Sequence, residues 1–237
     1  MTTEVFPADL DTTSIGLSVS THVDFETKMG VMDEMLKYVN TDGIIQTYFD
    51  LSRPRTGMFL NLAFSHEFTH LYLPPTLDPV VCVNVLTFFH MHGRGAELES
   101  TLNWVYSILQ HRAYLDGTLY YYGGDTFLFF LSRLLMISQD AYSRFNMLFA
   151  RRVQERSGAD ADALGLAMRV IAGATVGIRM RVDFEKLLRM QSEDGSFPLG
   201  WAYKYGGSGI LLGNQGWTTA LAVQAIKMFE ALDRESF

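Results

Sequence analysis

The dipeptide Asp-Gly occurs at residues 42, 116 and 194, each time after a run with helical spacing of apolar residues and before an aromatic-rich connector. The three phrases read "NTDGIIQTYFD", "YLDGTLYYYGGD" and "SEDGSFPLGWAYKYGGS". Asp-Gly is an ordinary turn dipeptide. Its recurrence at intervals of 74 and 78 residues also fits one or two helical hairpins per interval, which predicts a repeat array of helix pairs. Such hairpins can close into a toroid whose inner helices line a cavity and whose connectors rim one mouth.

The periodicity between the connectors predicts helices over about 12–20, 25–39, 78–92, 96–111, 125–137, 140–156, 160–178, 180–190 and 215–232. "DPVVCVNVLTFFHMHG" carries its own punctuation: Asp78 as N-cap, Pro79 at the first helical position and Gly93 just past the end. No Val/Ile-rich alternating strand is evident. The expectation is therefore an all-α chain, and 237 residues suffice for one domain, 1–237, with a sizeable core. Seventeen Phe and eleven Tyr is heavy aromatic use for a chain with 19% charged residues; most of these rings must be core, and a surplus is also what an apolar ligand cavity needs.

Charge and cysteine usage narrow the function classes. The net charge is −7 and the Lys and Arg residues are scattered, which argues against nucleic acid as a partner. The single cysteine, Cys82, lies inside an apolar run and reads as a buried, reduced core residue, leaving no disulfide framework and no Cys-based zinc site. The acidic start "MTTEVFPADLD" has no apolar leader, and no apolar run reaches the ~18 residues of a membrane span. These features predict a soluble, cytoplasmic protein.

Residues 56–77, "TGMFLNLAFSHEFTHLYLPPTL", interrupt the pattern and carry one charged residue, Glu67. They include His66-Glu67-Phe68-Thr69-His70, a literal H-E-x-x-H, which on a helix would place two imidazoles on one face to hold zinc, with Glu67 as general base. The helix would have to end before Pro74-Pro75, and no H-x-x-G-x-x-H continuation supplies a third ligand. The zinc-hydrolase reading therefore ranks low, and no metal ligands are assigned.

"DLDTTS" at 9–14 allows three readings. In the first, Asp11, Thr12 or Thr13 simply caps the following helix. In the second, it is the nucleophile loop of a haloacid-dehalogenase-like phosphatase. The preceding "TTEVFPA" is too short and Pro-broken for that fold's buried strand, and the later Lys and paired acidic motifs are not evident. In the third, one carboxyl is a general acid: held neutral by a neighbouring carboxylate and oriented by hydroxyls, it could protonate an isolated alkene. Asp9 and Asp11 would share a side of an extended approach to the helix. A helix N-terminus opposes this by favouring the ionised form of Asp11.

Taken together, "DLDTTS", "LLRMQSEDGSF" and "NQGWTTALAV" resemble the class II terpene cyclases, and most nearly the drimane-type sesquiterpene cyclases with a D-x-D-T-T motif. The similarity extends through "DEMLKYVNTDGIIQTYFDLSRPR", "DPVVCVNVLTFFHMHGRG", "LNWVYSILQHRAYLDGTLYYY" and "FLFFLSRLL". The resemblance implies an α/α-toroid (barrel) of helical hairpins, with room for incompleteness at the N-terminus, because family members carry further helices and commonly a phosphatase domain before the motif. It also implies that Asp11 protonates the terminal double bond of farnesyl diphosphate while Asp9, Thr12 and Thr13 orient and tune it. "QSEDGSF" resembles the Gln-Trp type turn of cyclase toroids, with Gln191 capping helix ends and Phe197 in the Trp place. Phe197, Trp201, Tyr203, Tyr120 and Trp217 would stabilise carbocations through their ring faces, although core packing is the ordinary role of any single ring. The diphosphate would be retained, held by Mg²⁺ and by Arg53, Arg55 and Lys204, and a separate haloacid-dehalogenase-like phosphatase would release an alcohol. Relatives pass from "SRPR" to "DPVV" with little between, so 56–77 reads as an atypical insertion of the kind a retained intron would leave. The alternative is a non-catalytic toroid fragment. A protein prenyltransferase β-subunit shares the toroid but ranks last, since Cys82 has no evident Asp and His partners.

Overall fold

A computed structural model describes residues 8–49, 77–205 and 208–234. Nine α-helices form among them: α1 (Leu10–Val19), α2 (Phe25–Met35), α3 (Pro79–Met91), α4 (Glu99–His111), α5 (Gly124–Ile137), α6 (Gln139–Glu155), α7 (Ala163–Thr175), α8 (Arg181–Leu188) and α9 (Gln215–Arg234). Each predicted helix is found, most with ends shifted by a few residues, and the all-α reading holds. The insertion at 56–77 and its H-E-x-x-H lie outside the described residues except for Leu77, which is buried.

The chain divides into two compact units, Met1–Ala113 and Tyr114–Phe237. In the first, α3 is the axis of the core. Its residues 79–89 are all buried, and α1 and α4 pack against it. Its start is fixed as the sequence predicts: Asp78 caps with one oxygen accepting from Val80 N at 2.8 Å and Val81 N at 3.3 Å. In the second unit α7 is central, buried from Ala163 to Gly173 apart from Gly165, and contacts α5, α6, α8 and α9.

The three Asp-Gly phrases are one structural device. Gly43, Gly117 and Gly195 all take positive φ, at 76°, 80° and 86°, which is open to Gly at no steric cost. Each glycine N–H donates three residues back, to the carbonyls of Asn40, Tyr114 and Ser192 at 2.9–3.0 Å.

One small sheet accompanies the helices. A two-stranded antiparallel sheet joins β1 (Trp201–Lys204) to β2 (Leu211–Gly213). At four and three residues, its strands are too short for period-2 alternation to register in the sequence. Their pairing is decided by neighbours: Lys204 N donates to Tyr120 O at 2.8 Å and Tyr122 N to Ala202 O at 2.9 Å, so the second and third connectors lie side by side.

The second unit also buries charge. Asp125 on α5 accepts two guanidinium forks, Arg156 at 3.1 and 2.8 Å and Arg169 at 3.0 and 2.7 Å. Arg169 reaches on to Asp183 at 2.6 Å, both side chains being fully buried. Burial pushes the Asp125 carboxyl up, but the hydrogen bonds of Arg169 and then Arg156 outweigh it, and the net shift is downward. Asp125→Asn would leave Arg169 short of a countercharge and is expected to cost ~3–5 kcal/mol in denaturant melts at pH 7. Since the folded value lies below the unfolded value of about 3.9, this contribution is present above that pH and is lost as pH falls through the folded value. The wild-type advantage over Asp125→Asn should therefore shrink in melts taken below about pH 4.

Candidate active site

The D-L-D-T-T segment is built by the entry to α1. Ala8–Leu10 run beside the first connector: Leu10 N donates to Thr47 O at 2.8 Å, Phe49 N to Ala8 O at 3.1 Å, and Asp9 bridges Tyr48. Asp9 is extended (φ −118°, ψ 152°) and is the N-cap, its Oδ1 accepting from Thr12 N at 2.6 Å. Thr13 Oγ1 donates to the Asp9 carbonyl at 2.7 Å. The cap is thus Asp9, not Asp11, Thr12 or Thr13, because the bridge to Tyr48 holds the chain extended up to residue 9 and the helix begins at Leu10. Asp11 already lies within the first helical turn, so the extended side-by-side geometry expected for the two aspartates does not apply.

With the cap taken by Asp9, the Asp11 side chain reaches α3. Asn84 Nδ2 donates to Asp11 Oδ1 at 2.8 Å across 73 residues of sequence. Asp11 is half-buried and Asn84 buried, while Thr12 is exposed. Asn84 was not among the sequence-based candidates. Its signal was the one amide inside the apolar run "VVCVNVLTFF", where a polar side chain needs a partner once buried. Cys82, half a turn away, is buried with its thiol 3.5 Å from the Ile45 carbonyl. Burial, with the Asp78 and Asp11 carboxylates adding to it, pushes this thiol well above its ordinary range.

The remaining candidates lie in the second unit or outside the described residues, as Arg53 and Arg55 do. Lys204 is half-buried and its ammonium donates to the carbonyls of Asp116 at 3.2 Å and Thr118 at 3.0 Å, latching the third connector to the second. Phe197 is fully buried in the core, and its N–H donates to Thr219 Oγ1 at 3.0 Å. Gln191 closes its own turn by donating to the Gly195 carbonyl at 3.1 Å. Tyr203 and Trp217 stack at 6.2 Å between ring centroids, with Tyr203 also 5.1 Å from Tyr121. Trp201 and Tyr203 remain 39% and 38% exposed. Tyr120 is half-buried. A cavity of about 350 Å³ in this unit is lined by Trp201, Tyr122, Asp125, Arg156, Asp160 and their neighbours. Its wall carries the Asp125 charge network rather than the apolar surface a polyene requires.

Residues 1–92 match the family described as the sesquiterpene cyclase astC-like C-terminal domain. That span contains both Asp11 and Asn84. Over 233 residues the chain is 40% identical to a drimenol cyclase of Aspergillus calidoustus, covering 95% of this chain and 39% of that protein. The chain is thus similar over most of its length to a drimenol cyclase, and over its first 92 residues to a sesquiterpene cyclase C-terminal domain. It spans about two fifths of the length of the curated relative it matches.

Within this cyclase-related chain, the D-x-D-T-T segment therefore brings together Asp11, Asn84 and the shielded Cys82, with Asp9 and Thr13 fixing the helix end. The thiol has no role as a nucleophile, since burial keeps it neutral. At pH 8, Cys82 in the folded protein is expected to resist a thiol-labelling disulfide reagent for hours and to react within minutes in denaturant. Rapid labelling of the folded protein would show that the packing around Asp11 opens to water.

Proposed function

We propose that the chain carries the acid of a class II sesquiterpene cyclase, which cyclises farnesyl diphosphate by protonation and leaves the diphosphate attached. The observation that carries this reading is the Asn84–Asp11 hydrogen bond, located inside the span that matches the cyclase domain. The amide donates to Oδ1, so the proton of a neutral Asp11 belongs on Oδ2. An amide does this without adding charge, whereas a lysine or arginine in the same place would hold the carboxyl ionised. The first turn of α1 then stabilises the carboxylate left behind once the proton has gone.

The step balances as follows. The Oδ2–H bond breaks and a C–H bond forms at the terminal alkene. The cation passes along the chain as two C–C bonds close. Loss of a proton from carbon to water restores a double bond, and the C–O bond to the diphosphate stays intact. The product is a bicyclic drimane-type diphosphate, from which a haloacid-dehalogenase-like phosphatase would release the alcohol. The exposed faces of Trp201 and Tyr203, with Trp217 and Tyr120, supply ring surfaces suited to the cations, whereas Phe197 contributes packing. Among the described residues no group of three or more His, Cys, Asp or Glu could hold a metal ion. Mg²⁺ in this reading comes on the diphosphate oxygens, and no step is assigned to it.

The test is incubation of purified protein with farnesyl diphosphate and Mg²⁺, phosphatase treatment, and gas chromatography–mass spectrometry. Wild type is expected to give a bicyclic drimane-type alcohol and Asp11→Asn only farnesol. Asn84→Ala should lower kcat by about 10²-fold or more, the scale of a mispositioned general acid, with little change in KM. Farnesol alone from well-folded wild type would overturn the reading in favour of a non-catalytic helical domain.

A further inference from the structure

The cavity of about 350 Å³ is lined by residues of the second unit alone. Four charged side chains line it, and three of them are committed. Asp125 and Arg156 hold each other through two hydrogen bonds, and Arg169 with Asp183 completes that set, two charges of each sign. Asp162 caps α7, its oxygens accepting from Gly165 N at 2.9 Å and Trp201 N at 2.8 Å. First-turn residues of both α5 and α7 line the cavity. Each helix N-terminus is worth about half a positive charge, and the Asp162 carboxylate offsets the two together. Asp160 is the fourth charged side chain. It is exposed and makes no hydrogen bond or ion pair among the described residues. The balance leaves one uncompensated negative charge on the wall, and it belongs to Asp160.

The same cavity is lined by two exposed rings, Tyr122 and Trp201, neither of which contacts another ring or a cation among the described residues. Their backbones are fixed: Tyr122 N donates to Ala202 O at 2.9 Å, and Trp201 N is tied to Asp162. Ring faces attract cations, a contact this unit already uses internally, with the Arg133 Cζ 5.7 Å from the Phe130 centroid. A metal ion is the wrong cation here, since no group of three or more His, Cys, Asp or Glu among the described residues could hold one. A primary ammonium brings three N–H donors, and Asp160 is the one lining carboxylate whose oxygens are not already engaged. A quaternary ammonium has no N–H to satisfy. Its methyl groups suit the rings, and one carboxylate balances its charge.

We infer that this cavity binds a small quaternary-ammonium cation, with Tyr122 and Trp201 against its methyl groups and Asp160 as countercharge. The site does not rest on the cyclase reading, with which it shares Trp201 alone.

The experiment is calorimetric titration with three probes: choline, its uncharged isostere dimethylbutanol (carbon in place of nitrogen) and inorganic phosphate. Wild type, Asp160→Asn, Tyr122→Leu, Tyr122→Phe and the exposed control Glu193→Gln are compared. Wild type is expected to bind choline about tenfold more tightly than the isostere, or better, and to bind no phosphate. Asp160→Asn and Tyr122→Leu should each weaken choline by about threefold or more, and Asp160→Asn should leave the isostere unchanged. Glu193→Gln removes the same charge elsewhere and should match wild type. Tyr122→Phe keeps the ring and should also match it, which separates loss of the ring from a disturbed connector. Equal affinity for choline and the isostere would overturn the assignment, as would choline binding that survives both Asp160→Asn and Tyr122→Leu. Wild type that binds no choline, or prefers phosphate, would overturn it as well.

Discussion

The hydrogen bond from Thr12 N to the Asp9 carboxylate, 2.6 Å long, decides how the D-L-D-T-T segment is used. A helix start leaves four N–H groups without partners, and one of the two aspartates had to serve them. Asp9 does so because its backbone is held extended by the bridge to Tyr48 and by Leu10 N on the Thr47 carbonyl. The same contacts fix the rotation of α1 about its axis, which turns Leu10 and Ser14 inward. Asp11 is thereby released from capping and turned towards α3. Had the helix started two residues later, the Asp11 carboxyl would have been occupied by backbone amides, and Asn84 would have lost its partner.

The second unit shows the same division between structural and available charge. Asp125 neutralises two arginines through paired forks, and Arg169 is completed by Asp183. Each of these ions is costly to bury alone and acceptable as a set. Lys204 is consumed in a different way, by tying two Asp-Gly connectors together through their carbonyls. Its use as a latch follows from Gly117, where an added Cβ would lie 3.3 Å from the ammonium and 2.5 Å from the Tyr121 carbonyl. Against that background Arg133 stands out, because it has a ring where the others have an acceptor.

Much of this was legible in the chain. The helices follow from apolar spacing and from local caps, and Asp78-Pro79 marks the start of α3 where the structure has it. The three Asp-Gly turns follow from a conformation that glycine adopts without strain, and all three share one hydrogen-bond pattern. The burial of Cys82 followed from composition and context. What escaped the sequence were pairings between distant segments. The short sheet of β1 and β2 depends on a neighbouring connector more than on its own residues, and the two-residue offset in the cap of α1 depends on Tyr48.

By itself, then, the sequence determined an all-α chain, the order and approximate limits of its helices, the left-handed turns between them, and a D-x-D-T-T segment at the start of the first helix. These are consequences of local backbone preference and of apolar periodicity, which act over a few residues. Only the tertiary structure decided that Asp9 caps while Asp11 faces Asn84, that Lys204 latches while Arg133 does not, and that Phe197 packs while Trp201 and Tyr203 stay partly exposed. Each of those outcomes is set by which group from a distant segment reaches a side chain first, and the local sequence carries no record of that.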